Sequence, residues 1–155
     1  IGSADPTLVA TTVLGHDPAT GSPGLGSLAL EIPFSAPDQG VNVRIPLDPT
    51  RDLTGRTLTA RVRVDNWDGI IPANPPGAML FVTAGDAYCW AGGGWVNLAE
   101  SPDWITLRFD LDEADFGECV GGTITDVREL GVNFGTSPAG ADGPAALHVD
   151  SLYLE

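Results

Sequence analysis

Residues 86–98, Asp-Ala-Tyr-Cys-Trp-Ala-Gly-Gly-Gly-Trp-Val-Asn-Leu, gather side chains suited to one kind of chemistry. Tyr88 and Trp90 stand two apart, as do Trp95 and Asn97, and residues two apart on a strand share a face. Folded as a hairpin about its three glycines, the segment is expected to place three aromatic rings and an amide on one surface. Cys89, Val96 and Leu98 then take the other face. A flat aromatic surface suits the apolar C–H face of a sugar ring, while Asn, Arg and Asp side chains supply planar hydrogen bonds to hydroxyls. The competing use of the same rings is to cover a sheet edge or pack under a loop, because buried aromatics are the commoner case.

Other polar candidates lie on the non-core phase of alternating segments: Arg61, Arg63, Arg44, Asn42 and Asn133. If their strands adjoin the hairpin, they form a polar floor beside the aromatics. Trp67 follows Asp65-Asn66 at a strand end and reads as a loop residue that flanks a cleft. Trp104 opens an alternating strand and reads as core or edge packing. Calcium takes six to eight oxygens, mixing carboxylates with backbone carbonyls. Asp17 begins a glycine-rich loop that runs to Ser27. Asp150 sits where the last strand slips phase, with Leu147 and Val149 pointing one way and Leu152 and Leu154 the other. Such a slip suggests a bulge, and bulges re-aim side chains. Asp17 and Asp150 are therefore candidate ligands of a structural calcium, although Asp150 serves equally as a turn former and no EF-hand spacing is present.

Several chemistries find little support. There is no Gly-x-Ser-x-Gly elbow, and the histidines are His16, in a polar turn before Asp17-Pro18, and His148, in the last strand beside Asp150. A lone strand histidine reads as a hydrogen-bonded structural residue before it reads as a base. The 21 acidic residues offer many carboxylate pairs for glycoside hydrolysis, but most lie in loop-like stretches such as Asp110, Asp112, Glu113 and Asp115, and no pair stands out. The formal charge is −14, and all seven bases are arginine. Phosphate neutralisation needs a basic face, so nucleic-acid binding is excluded and anionic lipid surfaces are disfavoured. No apolar run approaches the length of a membrane helix. Cys89 and Cys119 fit no zinc pattern. They read as a disulfide in an oxidising compartment or as two partly buried thiols.

The elements that must position these residues are strands. Length places residues 1–155 in one domain. Period-two alternation runs through Leu28–Phe34, Val41–Ile45, Leu58–Val64, Ile105–Leu111 and Leu130–Phe134. With 78–90, 95–98 and an end strand near 146–154 this predicts about eight strands, and a ninth at 8–14. Turn chemistry at 36–40, 73–77 and 140–144 separates them. Helix signals are confined to a short acidic piece at 112–116, and 19–27 reads as a long surface loop. Short strands with regular turns predict an all-β antiparallel sandwich of jelly-roll kind. The chain opens at Ile1 without methionine and is expected to be a mature fragment or an excised domain.

The run Phe81–Leu98, the strand Trp104–Leu111, the stretch Leu130–Phe134 and the ending Leu147–Leu154 together resemble the non-catalytic carbohydrate-binding modules of bacterial glycoside hydrolases. The resemblance covers most of residues 25–155. It implies a galactose-binding-like jelly roll that binds glycans on its concave sheet, a role that falls on Tyr88, Trp90 and Trp95. It also implies a structural calcium between the N-terminal loop and Asp150. The acidic-aromatic segment and early tryptophan common in the family are not evident before Asp17, which puts that calcium in doubt. The resulting expectation is a secreted polysaccharide-binding module, for a β-glucan or mannan, carried on a larger enzyme. Its ligand residues would be Tyr88, Trp90, Trp95, Asn97, Arg61, Arg63, Asn133 and Trp67. The alternatives are a small jelly-roll glycan-active enzyme using a carboxylate pair, and an adhesion module whose aromatic face packs on a neighbouring domain.

Overall fold

The computed structural model describes residues 1–68, 75–98, 103–138 and 143–155. The turns placed at 73–77 and 140–144 fall partly outside them. The described residues form a short helix α1 (Pro6–Thr11) and ten strands: β1 (Val13–Asp17), β2 (Ser27–Ile32), β3 (Gly40–Arg51), β4 (Thr57–Trp67), β5 (Gly77–Ala84), β6 (Cys89–Gly92), β7 (Val96–Asn97), β8 (Ile105–Asp110), β9 (Val127–Gly135) and β10 (Ala145–Leu154). They make two five-stranded antiparallel sheets. The back sheet has the order β1-β2-β10-β4-β8. The front sheet has the order β3-β9-β5-β6, and β7 pairs with β5 beside β6. Alternation does what the sequence predicts. Leu30, Ile32, Leu58, Ala60, Val62, Leu107 and Leu147 face inward from the back sheet, and Val41, Leu80, Val82, Val132 and Phe134 face inward from the front sheet.

The expected ninth strand at 8–14 is instead helix followed by strand. Asp5 caps α1, its Oδ1 accepting from Thr7 N at 2.9 Å and Leu8 N at 3.3 Å. Pro6 opens the first turn, and Leu8 is buried. The chain becomes extended only at Val13. Consequently His16 lies in β1 opposite Leu28, not in a turn. The acidic piece near 112 is a single 3-10 turn, Leu111–Glu113, capped by Asp110. The phase slip in the last strand is a bulge: β10 pairs with β4 in one register from Leu147↔Val64 to Asp150↔Arg61 and resumes at Tyr153↔Thr59, with Ser151 at φ 55° between them.

A second bulge governs Trp67. Ala146 pairs with Asn66 while Leu147 pairs with Val64, so Asp65 is the extra residue. That single insertion turns Trp67 inward. Its ring is buried and stacks on Phe34, with centroids 5.1 Å apart and planes 2° from parallel. Trp67 is a core residue, not the wall of a cleft. Cys89 and Cys119 are joined by a disulfide, with the Cys89 side buried behind β6.

Candidate functional site

The outward face of the front sheet carries the exposed aromatics, and its register fixes what stands beside what. Successive rungs are Gly40–Gly135–Gly77, then Asn42–Asn133–Met79, then Arg44–Gly131–Phe81–Gly92, then Pro46–Glu129–Thr83–Trp90. Five glycines on one face leave hollows; rings lie over four of them and the Asn133 amide lies beside Gly40. A Cβ on Gly77 would lie 2.5 Å from Trp95 Cε2 and Nε1, and one on Gly135 would lie 3.2 Å from Trp95 Cη2. Trp95 therefore packs across the glycine rung. A Cβ on Gly92 would overlap Trp90 Cη2, and one on Gly131 would lie 2.9 Å from Phe81 Cε1. Trp90 leans over Gly92 and stacks on Phe81, with centroids 6.2 Å apart and planes 18° from parallel. Phe81 is buried although it points away from the sandwich core. Trp90 and Trp95 each retain 44% of their surface.

Between the tryptophans the face turns polar. Asn133 Nδ2 donates to Asn42 Oδ1 at 2.8 Å. That leaves both N–H donors of Asn42, the second Nδ2 proton of Asn133 and the Oδ1 of Asn133 for another partner. Glu129 pairs with Arg44 at 3.4 Å and accepts from Thr83 Oγ1 at 3.4 Å. Asn97 projects to the same face from β7, opposite Gly77. A shallow cleft of about 310 Å³ opens beside Trp95 against Thr136, Ser137 and Pro138.

Tyr88 reaches this face by another route than the expected one. It is not in a strand two residues from Trp90; it sits in the β5–β6 turn at φ 52°. Its ring rests 5.7 Å from the guanidinium of Arg128, which is ion-paired to Asp86 and Asp126. Tyr88, Arg128 and Glu129 line a cleft of about 290 Å³ against Pro46–Thr50 of β3. The three aromatics thus mark successive stations along one face, with Tyr88 at the far end from Trp95.

Arg61 and Arg63 do not belong to that face. Both lie on β4, in the back sheet, and point to the opposite side of the sandwich. Arg63 pairs with Asp65 and lies 5.7 Å from the ring of the half-buried Trp104. Sequence alternation gave their phase but not the sheet to which β4 belongs. Phe81, Gly77, Gly92 and Arg128 went unmarked in the sequence. The available signal was that β5 is apolar in both phases, Met79 and Phe81 as well as Leu80 and Val82, so each of its faces needs cover.

His148 is structural. Its Nδ1 pairs with Ser27 Oγ at 2.8 Å and its Nε2 with Asp65 Oδ2 at 2.9 Å. This Ser–His–Asp chain lies on the back sheet. Ser27 is 4% exposed, and its hydroxyl packs against the His148 ring.

The candidate calcium ligands are already engaged. The Thr20 hydroxyl and then the Ala19 N–H hold the Asp17 carboxyl below the usual carboxylate range. Asp150 Oδ2 accepts from Ser22 N at 2.6 Å, and Ser151 Oγ donates to Ser22 O at 3.0 Å. Among the described residues no cluster of three or more His, Cys, Asp or Glu is placed to hold a metal. The donors fit calcium poorly, because direct hydrogen bonds fasten the loop to β10 where the metal would bridge them. A larger cleft, about 500 Å³, opens at the side of the sandwich between β1 and β3 and does not touch the tryptophans.

A family model described as mannanase, galactose-binding domain-like matches residues 9–151. No curated protein sequence matches. Solved structures of similar fold include a carbohydrate-binding module studied for the promiscuous specificity of the β-sandwich superfamily. It is 14% identical over 94% of this chain and 53% of that one, with a TM-score of 0.63. The family 30 carbohydrate-binding module of a cellulosomal cellulase of Clostridium thermocellum is 14% identical over 92% of this chain and 82% of that one, with a TM-score of 0.60. A Clostridium thermocellum endo-1,4-β-D-xylanase, solved with xylohexaose, is 12% identical over 94% of this chain and 25% of that one, with a TM-score of 0.55. This chain spans about half the length of the first of these and a quarter of the last. At such identities the likeness establishes the fold, a jelly-roll β-sandwich.

Proposed function

Since the chain belongs to the mannanase galactose-binding-domain-like family, we propose that it is a non-catalytic polysaccharide-binding module whose site is the outward face of the front sheet. The observation that carries this reading is the pair of half-exposed tryptophans packed on glycine rungs with an amide pair between them. Flat rings bind the C–H faces of sugars, and the amides and the Arg44–Glu129 pair meet equatorial or axial hydroxyls. From the Gly77 rung to the Phe81 rung is four residues of strand, about 13 Å, and Tyr88 extends the face further. That length suits a chain of sugars more than a single ring.

We read the face as one that binds without cleaving: Glu129 is held by Arg44 and Thr83, and Asp86 by Arg128. The module would raise the local concentration of polysaccharide at an enzyme to which it is joined. A secreted setting accords with the disulfide. Retention on soluble β-mannan and β-glucan in affinity electrophoresis, with product analysis of the same samples, tests the reading. Retention with intact polysaccharide is expected; release of oligosaccharides points to the enzyme, and no retention on any glycan points to a face that packs on a neighbouring domain.

A further inference from the structure

We propose that Gly92 and Phe81 are positioning residues of the glycan face, setting the pose of Trp90 without touching the ligand; this rests on the reading above. Trp90 stands on an edge strand, where nothing holds an indole against the sheet except what lies beneath it. Three observations fix its pose. Gly92, on the neighbouring rung, has no side chain, and the far edge of the indole occupies that space: a Cβ would overlap Cη2 and lie 2.9 Å from Cζ3. Phe81, 1% exposed on a face that otherwise meets solvent, supports the ring as a near-parallel partner. Phe81 in turn lies over Gly131, where a Cβ would come within 2.9 Å of its Cε1. The stack therefore runs from Gly131 through Phe81 to Trp90 and ends on Gly92. None of its lower members contributes to the core between the sheets, since Phe81 lies outside the core cluster. Its placement is explained by what it carries.

The atoms of Trp90 that a Gly92 Cβ would meet are those of the outer six-membered ring, Cη2 and Cζ3, which phenylalanine lacks. Glycine at 92 and tryptophan at 90 should thus be coupled. Gly92→Ala is expected to weaken binding to whichever of soluble β-mannan or β-glucan the module retains by roughly tenfold, the size of coupling found for residues in direct contact. Trp90→Phe alone should weaken binding a few-fold, and the double variant should bind like Trp90→Phe, since the alanine then meets only the flexible end of Met79, 3.0 Å away. A readout independent of glycan accompanies it: in Gly92→Ala the indole lifts from Phe81, so tryptophan emission shifts to the red and quenching by acrylamide rises. Phe81→Leu removes the supporting ring without adding volume and should move both signals the same way. If Trp90→Ala abolishes binding while Gly92→Ala and Phe81→Leu bind like the parent with unchanged emission, the positioning roles are overturned and the glycan face stands. Additive losses in the double variant overturn them as well. If Trp90→Ala leaves binding intact, Trp90 is not part of the glycan face and the positioning roles are overturned as roles in binding, while the emission shift still shows whether Gly92 and Phe81 set the ring.

Discussion

Replacing Trp90 by alanine should separate binding from folding, and the structure supplies the size of each effect. Trp90 keeps 44% of its surface exposed. An aromatic side chain of this kind can bury up to about 250 Å², so roughly 100 Å² remains for a ligand to cover. At about 25 cal/mol per Å² full cover is worth about 2.5 kcal/mol, and half cover a little over 1 kcal/mol. The dissociation constant should rise about 8- to 60-fold. Stability suffers less. Trp90 packs on Phe81 and Gly92 but outside the core between the sheets, so its removal leaves a surface notch and no enclosed cavity. A cost of about 1–2 kcal/mol corresponds to a fall in Tm of roughly 2–8 °C for a domain of this size. Trp67→Ala is the internal control. That ring is buried against Phe34, and its loss should cost about 3–5 kcal/mol, with a correspondingly larger fall in Tm. Affinity electrophoresis beside differential scanning calorimetry measures both. A fall in Tm for Trp90→Ala that matches that of Trp67→Ala, or unchanged glycan mobility, refutes the assignment of Trp90 to the ligand face.

Four further outcomes are expected. Reducing the Cys89–Cys119 bond opens a closure of 30 residues; in the chain-entropy description that costs about 3–4 kcal/mol, to be read as a lowered urea midpoint for the Cys89→Ser/Cys119→Ser variant. Chelator should leave Tm unchanged, whereas Asp150→Ala should lower it by freeing Ser22 N from its acceptor; a chelator-induced fall would show that calcium bridges the loop after all. Arg61→Ala and Arg63→Ala, on the back sheet, should leave glycan mobility unchanged. Asp17 and Asp52 have depressed pKa values, caused mainly by the hydroxyls of Thr20 and Thr54. Their stabilisation is present above the ordinary carboxylate range and lost as pH falls through the lowered values. The decline of Tm below about pH 4 should therefore be shallower in Asp17→Asn and Asp52→Asn than in the parent.

Much of the fold was legible because its signals are local. Alternation in 28–34, 58–64 and 105–111 assigned inward and outward faces, and the phase break at Asp150 announced a bulge that the register confirms. The glycan face was legible in part. Trp90, Trp95, Asn97, Asn42, Arg44 and Asn133 share a sheet face as their phases indicated. What failed was non-local or hung on one residue. Arg61 and Arg63 have the right phase on the wrong sheet, because strand order depends on contacts distant in sequence. Trp67 changed from rim to core through the single extra residue Asp65. Tyr88 left the expected strand through one left-handed backbone conformation, yet Arg128 brings its ring back to the same face. Phe81 escaped notice because a buried phenylalanine in an apolar strand reads as core; only its neighbours, Gly131 beneath and Trp90 above, reveal a different task.

The central claim is that the two tryptophans on the front sheet bind polysaccharide. Its most direct measurement is the mobility of the Trp90→Ala/Trp95→Ala variant in gels containing soluble β-mannan or β-glucan, with the parent alongside and circular dichroism on both. We expect the parent to be retarded and the folded double variant to run as in a glycan-free gel. Retardation of the double variant equal to that of the parent would contradict the claim.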